Sequence, residues 1–121
     1  MKRYKGWRDE RGETQVRVYE DSLPERSLDT RLDLCRHSPS GFEWGYLGSG
    51  PAQLALAILA EHFHGQPDAD EKAQSLYQEF KAQAIARFPR VGFSFNDLDV
   101  EAKIIEIRMR REERRSASVT A

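Results

Sequence analysis

The chain predicts an α+β fold, a small antiparallel sheet of about four strands packed on a buried central helix plus two further helices. Three observations predict it. Residues 2–20 read as two strands around a charged, glycine-containing turn. Residues 51–63 begin with a run that is apolar on nearly every side, and residues 69–88 repeat apolar side chains at three- and four-residue spacing.

The first strand is expected over 2–8 and the second over 14–20, where Val16 and Val18 alternate with polar residues; Gly12 lies in the turn between them. Leu32 and Leu34 repeat the period-2 pattern, so a third strand is expected over 30–35. Ser38-Pro39-Ser40-Gly41 suits a type I turn. Phe42, Trp44 and Tyr46 alternate with Glu43 and Gly45, which predicts a fourth strand over 42–46 paired back on the third.

Pro51 stands where a helix accepts its first residue, and only Gln53 interrupts the apolar run before Glu61. A helix apolar all round must be buried all round. Gly65 and Pro67 end it near Phe63. Asp68 or Asp70 caps the next helix, whose stripe of Ala69, Ala73, Leu76, Tyr77, Phe80, Ala84 and Phe88 closes at Pro89. Phe93-Ser94-Phe95 is a short extended piece or packing anchor, and Asn96 caps a third helix with Asp97, Asp99 and Glu101 in its first turn. Leu98, Ala102, Ile105 and Met109 form its expected buried stripe, although Val100, Ala102 and Ile104 also permit a strand. The polar end beyond Glu113 is expected to fray. The division is one α+β domain over 1–107 and a charged helix end with a frayed tail over 108–121.

A length of 121 residues suits one domain. Nineteen basic residues against 20 acidic ones leave no global field to attract nucleic acid or an anionic membrane. Positive charge is in excess only at 108–121, five basic against two acidic residues. Cys35 is the single cysteine, so no intrachain disulfide and no cysteine cluster can form. The longest apolar run, Leu54 to Ala60, is far short of the ~20 residues that cross a bilayer. A cytoplasmic protein without a membrane segment is expected.

The glycines before the apolar helix raise a site. Gly48, Ser49 and Gly50 could place bare backbone at a helix N-terminus, where a phosphate or carboxylate is welcome, with His37, Glu43, Tyr46 and Gln53 nearby. The competing reading is packing, with the glycines letting aromatic rings lie against the chain. Pro51 removes a donor, and neither GxxxxGK[ST] nor GxGxxG is present, so no cofactor is expected. A strand at 42–46 would hold the 38–41 turn roughly 15 to 20 Å from Gly48, whereas a folded loop would gather these side chains.

Cys35 and Ser49 lack the context of a nucleophile. His62 and His64 lie two apart at a surface helix end without HEXXH, so no metal is expected. Arg108, Arg110, Arg111, Arg114 and Arg115 could contact nucleic-acid phosphates, but intervening glutamates make ordinary helical pairs the default. Tyr4 and Trp7, if exposed at the sheet, could anchor a protein partner, but packing against the helices is the default reading.

The stretch SPSGFEWGYLGSGPAQLALAIL, the opening YKGWRDERGE, Leu76 to Lys81 and Phe88-Pro89-Arg90 are similar to a family of short uncharacterised bacterial proteins associated with phages, plasmids and integrative elements. The resemblance covers residues 2 to about 98. Leu47 stands where a small residue is expected. The resemblance brings no catalytic residue with it; it implies an accessory role, including counter-defence by binding a host protein. The resulting order of readings is a non-enzymatic interaction protein with a protein partner, then a phosphate or nucleotide binder or enzyme at the glycine-rich entrance, then nucleic-acid binding through the C-terminal arginines.

Overall fold

The computed structural model describes residues 1–120, with side chains through Ser118. Strands β1 (Lys2–Arg8) and β2 (Thr14–Glu20) form the expected antiparallel hairpin, Tyr4 opposite Val18 and Gly6 opposite Val16. Its turn is made by Asp9, whose backbone pairs with Glu13 and Gly12 and whose Oδ1 accepts from the amides of Arg11 and Glu13. Gly12 takes the left-handed conformation, φ 80°.

The third and fourth strands lie elsewhere than expected. Strand β3 is the two-residue Arg26–Ser27 on the free side of β2, and β4 is Gly92–Asn96, which pairs antiparallel with β1. The sheet order is β3-β2-β1-β4. Phe93-Ser94-Phe95 is therefore ladder, with Phe93 opposite Gly6 and Phe95 opposite Tyr4.

Residues 30–35 form a turn. Asp29 Oδ1 accepts from the Arg31 amide, Arg31 sits at φ 53°, and the Leu34 amide donates to the Arg31 carbonyl. These local bonds compete with a ladder and win. Residues 42–46 alternate in burial as a strand would, but they cross the core as a loop. Phe42 and Trp44 turn in, the Phe42 carbonyl accepts from Thr14 Oγ1, and the Gly45 amide donates to the Ile85 carbonyl. The Ser38–Gly41 turn does form, closed by the Gly41 amide on the Ser38 carbonyl.

Helix α1 (Ser49–Phe63) is buried from Gly50 through Ala60 without interruption, as its composition requires. Helix α2 (Ala69–Gln83) turns Ala73, Leu76 and Phe80 inward and tightens through a 3-10 turn at Ile85–Arg87, so it stops before the expected Phe88. Helix α3 (Asp97–Thr120) opens with a reciprocal capping box: the Asp99 amide donates to Asn96 Oδ1 and the Asn96 amide to Asp99 Oδ2. The helix runs on through the segment expected to fray.

One hydrophobic cluster joins the inner sheet face (Tyr4, Val16, Val18), the loop residues Phe42 and Trp44, Leu54 through Ala60 and Phe63 of α1, and the inward sides of α2 and α3. The expected stripe of α3 is reversed. Val100, Ile104 and Ile107 are buried, whereas Leu98, Ile105 and Met109 are 64%, 54% and 59% exposed. Among the described residues no helix is long and apolar enough to cross a membrane.

Candidate functional site

The entrance to α1 is built by close packing. Gly50 backs onto Glu43, and a methyl group there would stand 2.5 Å from the Glu43 Cβ. Gly45 holds φ 87° against the Arg90 side chain and the Phe88 carbonyl. The Tyr46 ring lies over Gly48 and carries the Arg90 guanidinium 5.3 Å from its centroid. Glu43 is clamped by Arg8 through two hydrogen bonds, 3.1 and 2.8 Å; that Arg8 bond holds its carboxyl below the usual range despite partial burial. Arg8 also lies over Trp44, and Arg8 Nε and Trp44 Nε1 both donate to the Arg90 carbonyl, at 2.8 and 3.2 Å. Ser49 is exposed and Gly50 buried.

The expected site residues fall into two sets. Glu43, Tyr46, Gly48 and Gly50 share this entrance with Arg8 and Arg90, which sequence reasoning missed because they come from β1 and from the segment before β4. His37 and Gln53 belong to a second set one turn further along α1. Gln53 is fully buried; its Oε1 accepts from the amides of His37 (2.9 Å) and Ser38 (3.1 Å), and its Nε2 donates to the Thr30 carbonyl (2.6 Å). His37 Nε2 lies 2.7 Å from the Tyr77 hydroxyl, whose ionisation is pushed up mainly by burial and further by Cys35. Within the two sets, Glu43, Arg8, Gln53 and His37 Nε2 all have protein partners.

A charged groove of about 810 Å³ lies between the β3 side of the sheet and α1. Glu61 is its centre, receiving Lys2 Nζ at 2.7 Å and Arg26 Nη1 at 2.6 Å, while Arg26 also reaches Glu20 at 2.7 Å. Burial pushes the Glu61 carboxyl up, but the hydrogen bonds and charges of Arg26 and Lys2 outweigh it and hold it at about 2. Trp7 is the exposed one of the two sheet aromatics; Tyr4 packs inward, as the default reading has it, and is fully buried, and its hydroxyl has no hydrogen-bond partner. Burial, then the charges of Asp97 and Glu61, raise its pKa. His62 is not at the surface either: its ring faces Asp97 Oδ1 (3.3 Å) and Glu101 Oε1 (2.5 Å) on α3. Among the described residues no group of three or more His, Cys, Asp or Glu could hold a metal ion.

The C-terminal arginines are drawn into helix pairs. Arg111 binds Glu79 and the Ser75 carbonyl, Arg114 reaches Glu79 at 3.3 Å, Arg110 binds Glu106 at 2.8 Å, and Arg115 binds Glu112. Arg108 is exposed beside the apolar stripe of α3.

A family model described as a family of unknown function, DUF6166, matches residues 4–106. The chain belongs to the DUF6166 family. The match begins at buried Tyr4 in β1 and runs into α3 as far as Glu106, so it contains all of the sheet but Lys2 and Arg3, the α1 entrance and most of the α3 stripe. No curated protein and no solved structure matches the DUF6166 chain.

Proposed function

We propose that this DUF6166 protein is a non-enzymatic interaction protein of a mobile genetic element, acting in regulation or counter-defence by holding a host or element-encoded protein against α3. The observation that carries the reading is the second apolar stripe of that helix. Leu98, Ala102, Ile105 and Met109 recur at four-, three- and four-residue spacing on the side opposite Val100, Ile104 and Ile107, and all four are exposed. The mobile-element setting rests on the resemblance of the glycine-rich segment.

The partner is an amphipathic helix lying antiparallel to α3. Asp97, Asp99 and Glu101 surround the Leu98 end of the stripe, and Arg108 and Arg110 the Met109 end. A helix running the opposite way with its own acidic start and basic end matches both and opposes the helix dipoles.

The test is capture by the immobilised full chain, repeated with Ile105→Glu and Met109→Glu together. A stoichiometric partner lost with the double variant, at unchanged melting temperature, supports the reading. A partner that the variant retains overturns it, as does a homodimer in light scattering that the same variant dissociates, because a second copy then occupies the face. Tight binding of a nucleotide or phosphate, seen as ~2.7 kcal/mol of stabilisation at 100 times Kd, overturns it in favour of a ligand at the α1 entrance.

A further inference from the structure

The inner face of the sheet is spent on the core, and no described element covers the outer one. Because side chains alternate, β1 presents Arg3, Lys5 and Trp7 outward, β2 presents Gln15, Arg17 and Tyr19, and Ser27 and Ser94 flank them from β3 and β4. Lys5 stands directly opposite Arg17, with Ser94 on its other side and Ser27 beyond Arg17, so one row crosses all four strands. Like charges opposed across a ladder work against the sheet. The charge is only partly compensated: Glu25 approaches Arg17 to 3.7 Å, Arg17 Nη1 donates to the neutral Ser27 Oγ at 2.8 Å, and Lys5 Nζ lies 5.1 Å over the Tyr19 ring. Arg3 adds a third cation to the row through its bond to Ser94 Oγ, 3.3 Å.

Two aromatics border this row, Tyr19 beside Arg3 and Trp7 beside Gln15, and Trp7 is 39% exposed despite its size. Acids stand at both ends of the strands, Asp9, Glu10 and Glu13 in the hairpin turn and Glu20 and Asp21 where β2 ends, and Glu25 stands beside Arg17 at the β3 edge. They leave an anion a path across the strands, from Arg17 over Lys5 toward β4, rather than along them. We infer that the outer sheet face is a binding site for a short stretch of single-stranded nucleic acid, its phosphates on Arg3, Lys5 and Arg17 and a base stacked on Trp7.

Cations beside an open aromatic face, that of Trp7, are the chemistry that a flexible polynucleotide needs. A duplex offers no unstacked base to Trp7. An acidic peptide would use the cations and leave the aromatics idle. The site is independent of the α3 stripe, which lies on a helix packed behind the opposite face.

The experiment is fluorescence anisotropy of a labelled twelve-nucleotide oligothymidylate with the full chain at 50 and 200 mM salt. About three phosphate contacts give a log–log salt slope near −2, so affinity falls roughly 15- to 20-fold over that range. Lys5→Gln with Arg17→Gln weakens binding at least tenfold, and Trp7→Ala separately weakens it at least fivefold. Arg108→Gln with Arg115→Gln leaves it unchanged. Absence of binding at 50 mM salt overturns the proposal, as does binding that survives the sheet variants or depends on Arg108 and Arg115. Equal affinity for a duplex, or equal competition by polyglutamate, also overturns it. Lys5 and Trp7 are exposed and Arg17 is half-buried; should the double variant melt early, Trp7→Ala alone decides the outcome.

Discussion

Gln53 is the only polar side chain that α1 buries, and it works as a staple. Its three bonds close the chain between Thr30 and Ser38 onto the helix, so the amides of His37 and Ser38 and the Thr30 carbonyl depend on it. Gln53→Leu keeps the volume and strands those three groups, and urea denaturation should show a loss of roughly 3 kcal/mol or more. A mere helix-surface glutamine would give a change near zero. Gly50 makes a second residue-scale claim. In an open loop Gly50→Ala would stabilise the helix, whereas contact with Glu43 makes the substitution destabilising by about 1–2 kcal/mol, measurable by the same titration. The Gly48-to-Gln53 segment was legible as a special place in the sequence, but its partners were not. Arg8 lies 35 residues from Glu43, Tyr77 lies 40 from His37, and neither spacing obeys any local rule.

At the scale of elements, α3 separates what a pattern can say from what it cannot. Leu98, Ala102, Ile105 and Met109 satisfy a helical stripe as well as Val100, Ile104 and Ile107 do, and only the position of α2 and the sheet decides which side goes inward. The two stripes make a sharp contrast: Ile104→Ala should cost about 2–4 kcal/mol in denaturation midpoint analysis, and its neighbour Ile105→Ala less than ~0.5 kcal/mol. The hairpin, α1 and the Asn96 cap were readable because turn chemistry, all-round apolarity and capping are local. Residues 30–35 and 42–46 were not, since two-residue alternation also describes a loop that dips into a core at every other side chain. The strand that closes the sheet came instead from Phe93 and Phe95, whose partner β1 lies nearly the whole chain away.

The whole molecule is tied at Glu61, where Lys2 of β1 and Arg26 of β3 meet α1. Its carboxyl is held at about 2, below the ordinary 4.5, so the tie contributes stability that is fully present above pH 4.5 and is lost as pH falls toward 2. Thermal melts across that window should show a steep decline that Glu61→Gln flattens, starting from a lower plateau. The uninterrupted burial of α1 has a further consequence during synthesis. The ribosome releases this greasy rod before β4 and α3 exist, and Ile107, the last buried apolar residue of the core, follows Phe63 by 44 positions. At cellular elongation rates that interval lasts roughly 2 to 9 s. A polypeptide stopped at residue 90 is frozen in that interval and should sediment with the insoluble fraction, while the finished one stays in the supernatant.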